Sequence, residues 1–371
     1  MTTTRGPTRT WDDADVAAAR FRRHGLAGTA DDVAAAARGS VALQAQDLDA
    51  TRLQVRPRSR SLTAADVTRA CDAGDVVRTW LMRGTLHLVP AEDVAWLLRL
   101  LGPMVERRDR RRREALGLDD ALCERALRAL PQVLADGPLT RGALVSALAR
   151  HRVRLPPERQ APAHLVLLAA TRGIVCRGPD ADREPTFTLL EQWVPAADGP
   201  DGPRAAAELA RRHLAAYAPV GAADLAAWAG IPIGAARRGL ADLGDDAREV
   251  ATARGPLWVP ADQPEPASRT AWRLLPAFDA YLLGYADRAA VLEAAHTSRV
   301  NAGGGWLHPV VVHGGRVAGT WRLRRRAAGH VAAVELFGGR PDRAATAALE
   351  AEAGDLGRFL GAPVTLEIAG R

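Results

Sequence analysis

The chain has 371 residues, room for two or three domains of ordinary size, and its 47% hydrophobic residues can fill real cores, which excludes a disordered protein. Its 50 basic residues exceed the 43 acidic ones to give a net charge of +7, a modest excess that favours a polyanionic partner such as nucleic acid. No lysine is present, a bias that a GC-rich coding genome also produces, so every basic side chain is an arginine and catalysis through a lysine Schiff base is excluded.

The chain opens on MTTTRGPTRTWDD, which lacks the apolar core of a signal peptide, and no later apolar run approaches the roughly 18 residues of a membrane span. A cytoplasmic protein with no membrane partner is expected. Asp12 and Asp13 open a helix that ends near His24 and Gly25; Thr29 with Asp32 resembles a capping box for a second helix, and Thr63 with Asp66 marks a third that stops at Gly74. VVRTWLM and TLHLV then alternate as strands around Arg83-Gly84, the spacing of a tight hairpin. Three helices followed by a hairpin is the winged-helix order.

The pattern recurs. After a helix from Pro90 to Leu101, Thr140 starts a helix through His151, another runs from Arg159 to Arg172, and IVCRG and PTFTLL follow as strands. Beyond the linker 196–204, helices near 205–217, 223–229 and 233–243 precede strands meeting at Arg254-Gly255. From about residue 270 short strands take over, PVVVHGG, RVAGTWRL, HVAAVELF and PVTLEI, with one helix from Arg343 to Leu360. The fold class expected is α+β: winged-helix units over 1–115, 116–195 and 204–265, then a small barrel or curved sheet over 270–371. A hairpin over 316–337 would carry Arg322, Arg324, Arg325 and Arg326 near its tip, either as a basic turn that touches nothing or as a contact.

Common enzyme signatures are missing: no Walker loop, paired-His zinc motif or elbow serine occurs, and Gly303-Gly304-Gly305 lacks the helix a phosphate cradle needs. Cys71, Cys123 and Cys176 stand some fifty residues apart, without zinc-site spacing or an even count for disulfides, so neither metal nor cofactor is expected. The run Arg107 to Arg113 is a solvated helix face or a phosphate-contacting patch. Gln44-Ala45-Gln46 carries more. Two amides one residue apart can hold a water without titrating near neutral pH, although two such glutamines are often plain surface residues. Residues two apart share a target in extended chain but diverge by about 200° on a helix, so a joint role implies an extended or irregular stretch. Thr85 and His87 share one face of the following wing strand, where a histidine is either a contact or partly buried.

LQAQD (43–47), TWLMRGTLHLVP (79–90), PAFDAYLLGY (276–285) and GRVAGTWR (315–322) together resemble the winged-helix DNA glycosylases of the AlkZ type, over nearly the whole chain. The resemblance implies a C-shaped arrangement of three winged-helix modules and a β-barrel, with double-stranded DNA in the concave channel; three unlike modules in one chain point to a monomer clamped around it. It implies hydrolysis of the N-glycosidic bond of N7-alkylated guanine, including unhooking of azinomycin-type interstrand crosslinks. The family's catalytic Gln-x-Gln is matched by Gln44 and Gln46, where a related branch has Gln-x-Asp. Its DNA-inserting hairpin best fits 316–337, giving Arg322, Arg324, Arg325 and Arg326 a DNA-binding role beside Arg83, Thr85 and His87. The rival from another class is a winged-helix regulator without catalysis, which would select a consensus sequence and usually bind as a symmetric dimer; a scaffold holding RNA or protein is a third reading.

Overall fold

A computed structural model describes residues 9–182, 184–195, 198–267 and 270–369. Helix α1 (Asp13–Arg23) starts at a reciprocal cap: the Asp12 carboxylate accepts from the Asp15 amide at 2.8 Å, and the Asp15 carboxylate accepts from the Asp12 amide at 3.1 Å. Sequence order suggests that it opens the N-terminal unit. Its packing says otherwise, because Ala17 and Phe21 are buried in one cluster with Leu275, Tyr281 and Val291 near the other end of the chain.

The N-terminal unit consists of α2 (Val33–Arg38), β1 (Leu43–Gln44), α3 (Leu48–Val55), α4 (Ala64–Asp72), β2 (Val76–Trp80) and β3 (Leu86–Pro90). Its strands pair antiparallel in the order β1-β3-β2. The second of these helices, α3, is missing from the sequence reading. It is short and buries Thr51 and Gln54 beside Ala50, Leu53 and Val55, so no apolar stripe announces it. Helix α5 (Ala91–Ala115) also outruns the expected end at Leu101 and passes through Pro103. Gly102 lets it close on a neighbour, since a Cβ there would stand 2.2 Å from the Thr171 carbonyl oxygen.

The order helix, strand, helix, helix, strand, strand then occurs once more in full and once with its first strand reduced to a single bridge. First come α6 (Asp120–Val133), β4 (Leu139–Thr140), α7 (Arg141–Arg150), α8 (Ala161–Thr171), β5 (Val175–Arg177) and β6 (Thr186–Leu189), with strand order β4-β6-β5. After the short α9 (Leu190–Trp193) come α10 (Gly202–Tyr217), α11 (Ala222–Ala229), α12 (Ile233–Ala241), β7 (Ala247–Val250) and β8 (Leu257–Pro260). Here a single bridge from Val220 to Trp258 stands where the other units have their first strand.

The rest holds β9 (Trp272–Leu275), α13 (Ala280–Leu283), α14 (Thr297–Val300), the small pair β10 (Asn301–Gly303) and β11 (Trp306–Leu307), then β12 (Val310–His313), β13 (Arg316–Arg326), β14 (Gly329–Leu336), α15 (Arg343–Leu360) and β15 (Val364–Ile368). The expected barrel is not formed. Five strands make an open sheet ordered β15-β14-β13-β12-β9. β14 and β15 run parallel, and a parallel pair needs a crossover. Helix α15 is that crossover; it packs against both edge strands and buries Leu349, Leu356 and Phe359, covering the face about which a barrel would have closed. Among the described residues no helix is long and apolar enough to cross a membrane.

Three histidines are sealed inside, His24, His87 and His213, none more than 2% exposed. Tyr285 Oη donates to the Tyr217 carbonyl at 2.9 Å, so the 2.9 Å contact between Tyr285 Oη and His24 Nε2 makes that nitrogen the donor. Burial pushes His87 and His213 down to about 3 and His24 well below the usual histidine value. A folded-state value below the unfolded one means that stability is complete above roughly pH 6.5 and falls as pH drops toward 3. At pH 5 each histidine held neutral costs about 2 kcal/mol. Urea unfolding at pH 7 and pH 5 is expected to show a drop of several kcal/mol; equal midpoints would place protons on these rings.

Candidate functional site

Gln44 ends β1 opposite His87 of β3, and Ala45 carries the pairing one residue further by donating to the Leu86 carbonyl at 2.7 Å. The chain then bends at Gln46, and Asp47 caps α3 by accepting from the Ala50 amide at 2.8 Å. The pair therefore sits at a strand-to-helix corner, with Gln44 buried to 9% exposure and Gln46 exposed. Both amide oxygens meet donors from one hairpin. Gln44 Oε1 accepts from Arg83 Nη2 at 3.1 Å, and the Leu86 amide lies 3.4 Å from Gln46 Oε1.

Arg83-Gly84 lies in the hairpin turn, as the sequence suggests, but the strands stop at Trp80 and resume at Leu86, so the loop is longer than the tight turn expected; both residues stand at positive φ, 59° and 77°. Positive φ is rare for a side chain such as arginine. It aims the guanidinium back at Gln44 and at the Trp228 carbonyl, which accepts from Arg83 Nη1. Because a guanidinium only donates, the Gln44 atom facing it has to be the oxygen, and the amide orientation is fixed with one lone pair left over. Burial lowers the affinity of Arg83 for its proton, and no carboxylate pairs with it among the described residues.

The Gln44 backbone is held from the other side. Its carbonyl accepts from Gln54 Nε2 at 2.8 Å and Thr51 Oγ1 at 3.3 Å, both on α3. Arg58 Nη1 donates to the Gln54 carbonyl at 2.7 Å, and the same guanidinium grips Asp279 with bonds of 3.0 and 2.8 Å. Arg56, 1% exposed, pairs with Glu352 at 2.9 Å and Asp355 at 2.7 Å on α15. Two buried arginines directly after α3 thus tie the glutamine corner to the C-terminal sheet. Burial alone would lower the Arg56 pKa, but the two carboxylates outweigh it and raise it. These anchors escape sequence reading because an RPR triplet looks like exposed chain, and its partners lie more than two hundred residues away.

Gln46 faces a cleft of about 850 Å³, whose walls include Arg52, Arg78, Arg177 and Arg325. Asp47, Asp49, Asp72 and Asp180 line it as well, with Arg52 paired to Asp49 and Arg78 to Asp180, so Arg177 and Arg325 are the two arginines of the cleft with no ion pair among the described residues, and they are the ones suited to anionic chain. Arg325 comes from the β13–β14 hairpin, whose two strands pair from Gly319 opposite Leu336 to Arg326 opposite Gly329. Strand alternation sends Arg325 to the face of Trp321 and Leu323, and Arg322, Arg324 and Arg326 to the other. Arg324 lies 3.7 Å from Glu367 on β15. Of the four hairpin arginines, only Arg325 lines the cleft with Gln46. Cys71 also lines it, but burial raises its thiol to about 11, so it is no thiolate at neutral pH.

The other expected contacts fall elsewhere. His87 is 2% exposed, and its Nδ1 lies 2.9 Å from the Thr85 carbonyl of its own hairpin, so it does not face solvent. Thr85 is half-buried, with its hydroxyl donating to the Met82 carbonyl at 3.2 Å. The Arg107 to Arg113 run lies on α5 and is largely consumed within the protein: Arg110 pairs with Glu114 and Asp120, Arg113 with Asp109, and Arg112 donates to Gln160.

The family described as DNA glycosylase AlkZ-like matches residues 37–359. The chain is 29% identical over 294 residues to a protein of Streptomyces sahachiroi described as an interstrand DNA cross-link repair glycosylase, covering 76% of this chain and 79% of that one. Among solved structures it is similar to Streptomyces sahachiroi DNA glycosylase AlkZ, with a TM-score of 0.79 and 26% identity, over 97% of this chain and 100% of that one. The match takes in the glutamine corner, the hairpin with Arg325 and most of α15, and this chain belongs to the AlkZ-like DNA glycosylase family.

Proposed function

We propose that the protein is a monofunctional DNA glycosylase that hydrolyses the N-glycosidic bond of N7-alkylated guanine in duplex DNA and unhooks azinomycin-type interstrand crosslinks. The observation that carries this reading is Gln46 on an arginine-lined cleft that also receives Arg325 of the hairpin. The family and the named activity of the Streptomyces relative support it. The three repeats of one helix and strand order are the winged-helix modules of this reading, with Gln44 and Gln46 in the first.

Alkylation at N7 leaves guanine positively charged, so the base departs without being protonated by the enzyme. What remains is to bring water to the sugar carbon as positive charge grows there. Gln46 Oε1, on the cleft wall, accepts a proton of that water and aims its oxygen at the carbon, while Gln44, buried and off the cleft wall, adds its amide dipole in favour of the developing cation. Arg83 fixes the Gln44 oxygen in place. Asp47 is engaged in capping α3. An open cleft suits a base that is tied to the opposite strand and cannot swing out freely. With no lysine in the chain, the abasic product is left intact.

The decisive assay is incubation with duplexes carrying N7-methylguanine or an azinomycin-type crosslink, followed by detection of free base and abasic sites. Release from neither substrate ends the proposal. Arg325→Ala is expected to slow crosslink unhooking several-fold more than release of N7-methylguanine, and more than Arg326→Ala does, because only Arg325 of the two lines the cleft. Equal loss on both substrates would count against a role for the hairpin in opening crosslinked DNA.

A further inference from the structure

We propose that Arg177, on β5 of the second repeated unit, is a phosphodiester-binding residue of the cleft and grips the backbone phosphate beside the nucleotide addressed by Gln46. This rests on the glycosylase reading for its ligand, but it concerns binding and not the reaction.

The guanidinium of Arg177 lies 4.7 Å from the ring centre of Phe187 and 5.3 Å from that of Trp80, two rings stacked at 6.3 Å. The two rings hold the guanidinium by cation–π contact. It has no ion pair of its own: among the described residues no carboxylate lies within ion-pair distance of Arg177, and the nearby Asp180, which offsets part of its charge, is held by Arg78 at 2.8 Å. Burial, followed by repulsion from Arg78, pulls Arg177 down to about 10. An anion is the ligand that would relieve both. Arg177 lines the same cleft as Gln46 and Arg325, and it reaches there from a different part of the chain than either.

The chemistry of the substrate selects the anion. A purine alkylated at N7 is a cation and is repelled by a guanidinium, so the arginines of the cleft are suited to backbone and not to the damaged base. Every sugar has a phosphate on either side, and a sugar set against Gln46 brings two of them into this cleft. Arg177 and Arg325 are forks for bidentate phosphate recognition there, one held by aromatic rings and one on a hairpin.

Affinity for undamaged duplex, measured across a salt series for the wild type, Arg177→Gln and Arg177→Lys, tests this. Arg177→Gln is expected to weaken binding and to lower the slope of log affinity against log salt by about 0.9, the release of one phosphate's counterions, while Arg177→Lys keeps the slope. Unchanged affinity and slope in Arg177→Gln overturns the proposal, even where the protein still releases alkylguanine. Should Arg177→Gln fail to fold, phenylglyoxal labelling of the wild type decides: duplex is expected to protect Arg177 several-fold. Equal labelling with and without DNA, or none in either case, overturns it. No base release by the wild type, together with the expected loss of affinity and slope in Arg177→Gln, would instead strike the glycosylase reading and leave this one standing.

Discussion

Gln46→Ala is expected to lower single-turnover release of N7-alkylguanine by more than about tenfold, a barrier increase of at least roughly 1.4 kcal/mol, with duplex affinity nearly unchanged. The side chain is exposed on the cleft, so removing it leaves no cavity and folding stability should hold. Gln44→Ala is expected to lose activity to a similar degree, but with a cost to stability of about 1–3 kcal/mol, because it deprives the half-buried Arg83 guanidinium of an acceptor. Gln44→Glu separates the two effects. A carboxylate still satisfies Arg83, so stability should return, while any activity change reports on the amide itself. Full activity in both alanine variants would remove the glutamines from the mechanism. The wild-type rate is also expected to stay flat between about pH 6 and pH 8, since of the cleft's neighbours His87 is held near 3 and Cys71 near 11.

The second large effect lies away from the cleft. Asp279→Ala or Arg58→Ala is expected to destabilise the fold by about 3–5 kcal/mol, because each leaves its partner charged and buried at side-chain exposures of 3% for Arg58 and 2% for Asp279. The pair Arg58→Met with Asp279→Leu, which removes both charges, should recover most of that stability. It should not recover the rate, since Arg58 holds the Gln54 carbonyl and Gln54 holds the Gln44 carbonyl. Urea unfolding measures the first claim and single-turnover release the second. If the double variant is stable and fully active, the pair has only a folding role and the corner positions itself.

Much of the architecture was readable in the chain. Capping residues placed α1 and α4, Thr140 placed α7, and Arg83-Gly84 placed the first hairpin, because these signals act within a few residues and need nothing from the rest of the fold. The glutamine pair and the arginine hairpin were also legible as features. Their meeting was not: Gln46 and Arg325 are 279 positions apart, and no local pattern sets that distance.

The misses share one physical cause. Helix α3 buries polar Thr51 and Gln54 to hold the Gln44 carbonyl, so its inner face lacks the apolar rhythm that identifies helices. The barrel was expected from dense strands, but strand density does not say whether neighbours run parallel, and one parallel pair, β14 with β15, demanded the covering helix that keeps the sheet open. Arg56 and Arg58 read as solvent-facing chain until Glu352, Asp355 and Asp279 arrive beside them. What the sequence determined by itself were most of the elements, their order and the residue types proposed for the chemistry, since these follow from local backbone and side-chain preferences. The tertiary structure alone decided which glutamine reaches the cleft, which of four hairpin arginines joins it and which histidine is sealed away, because burial and ion pairing are set by partners that only folding brings near.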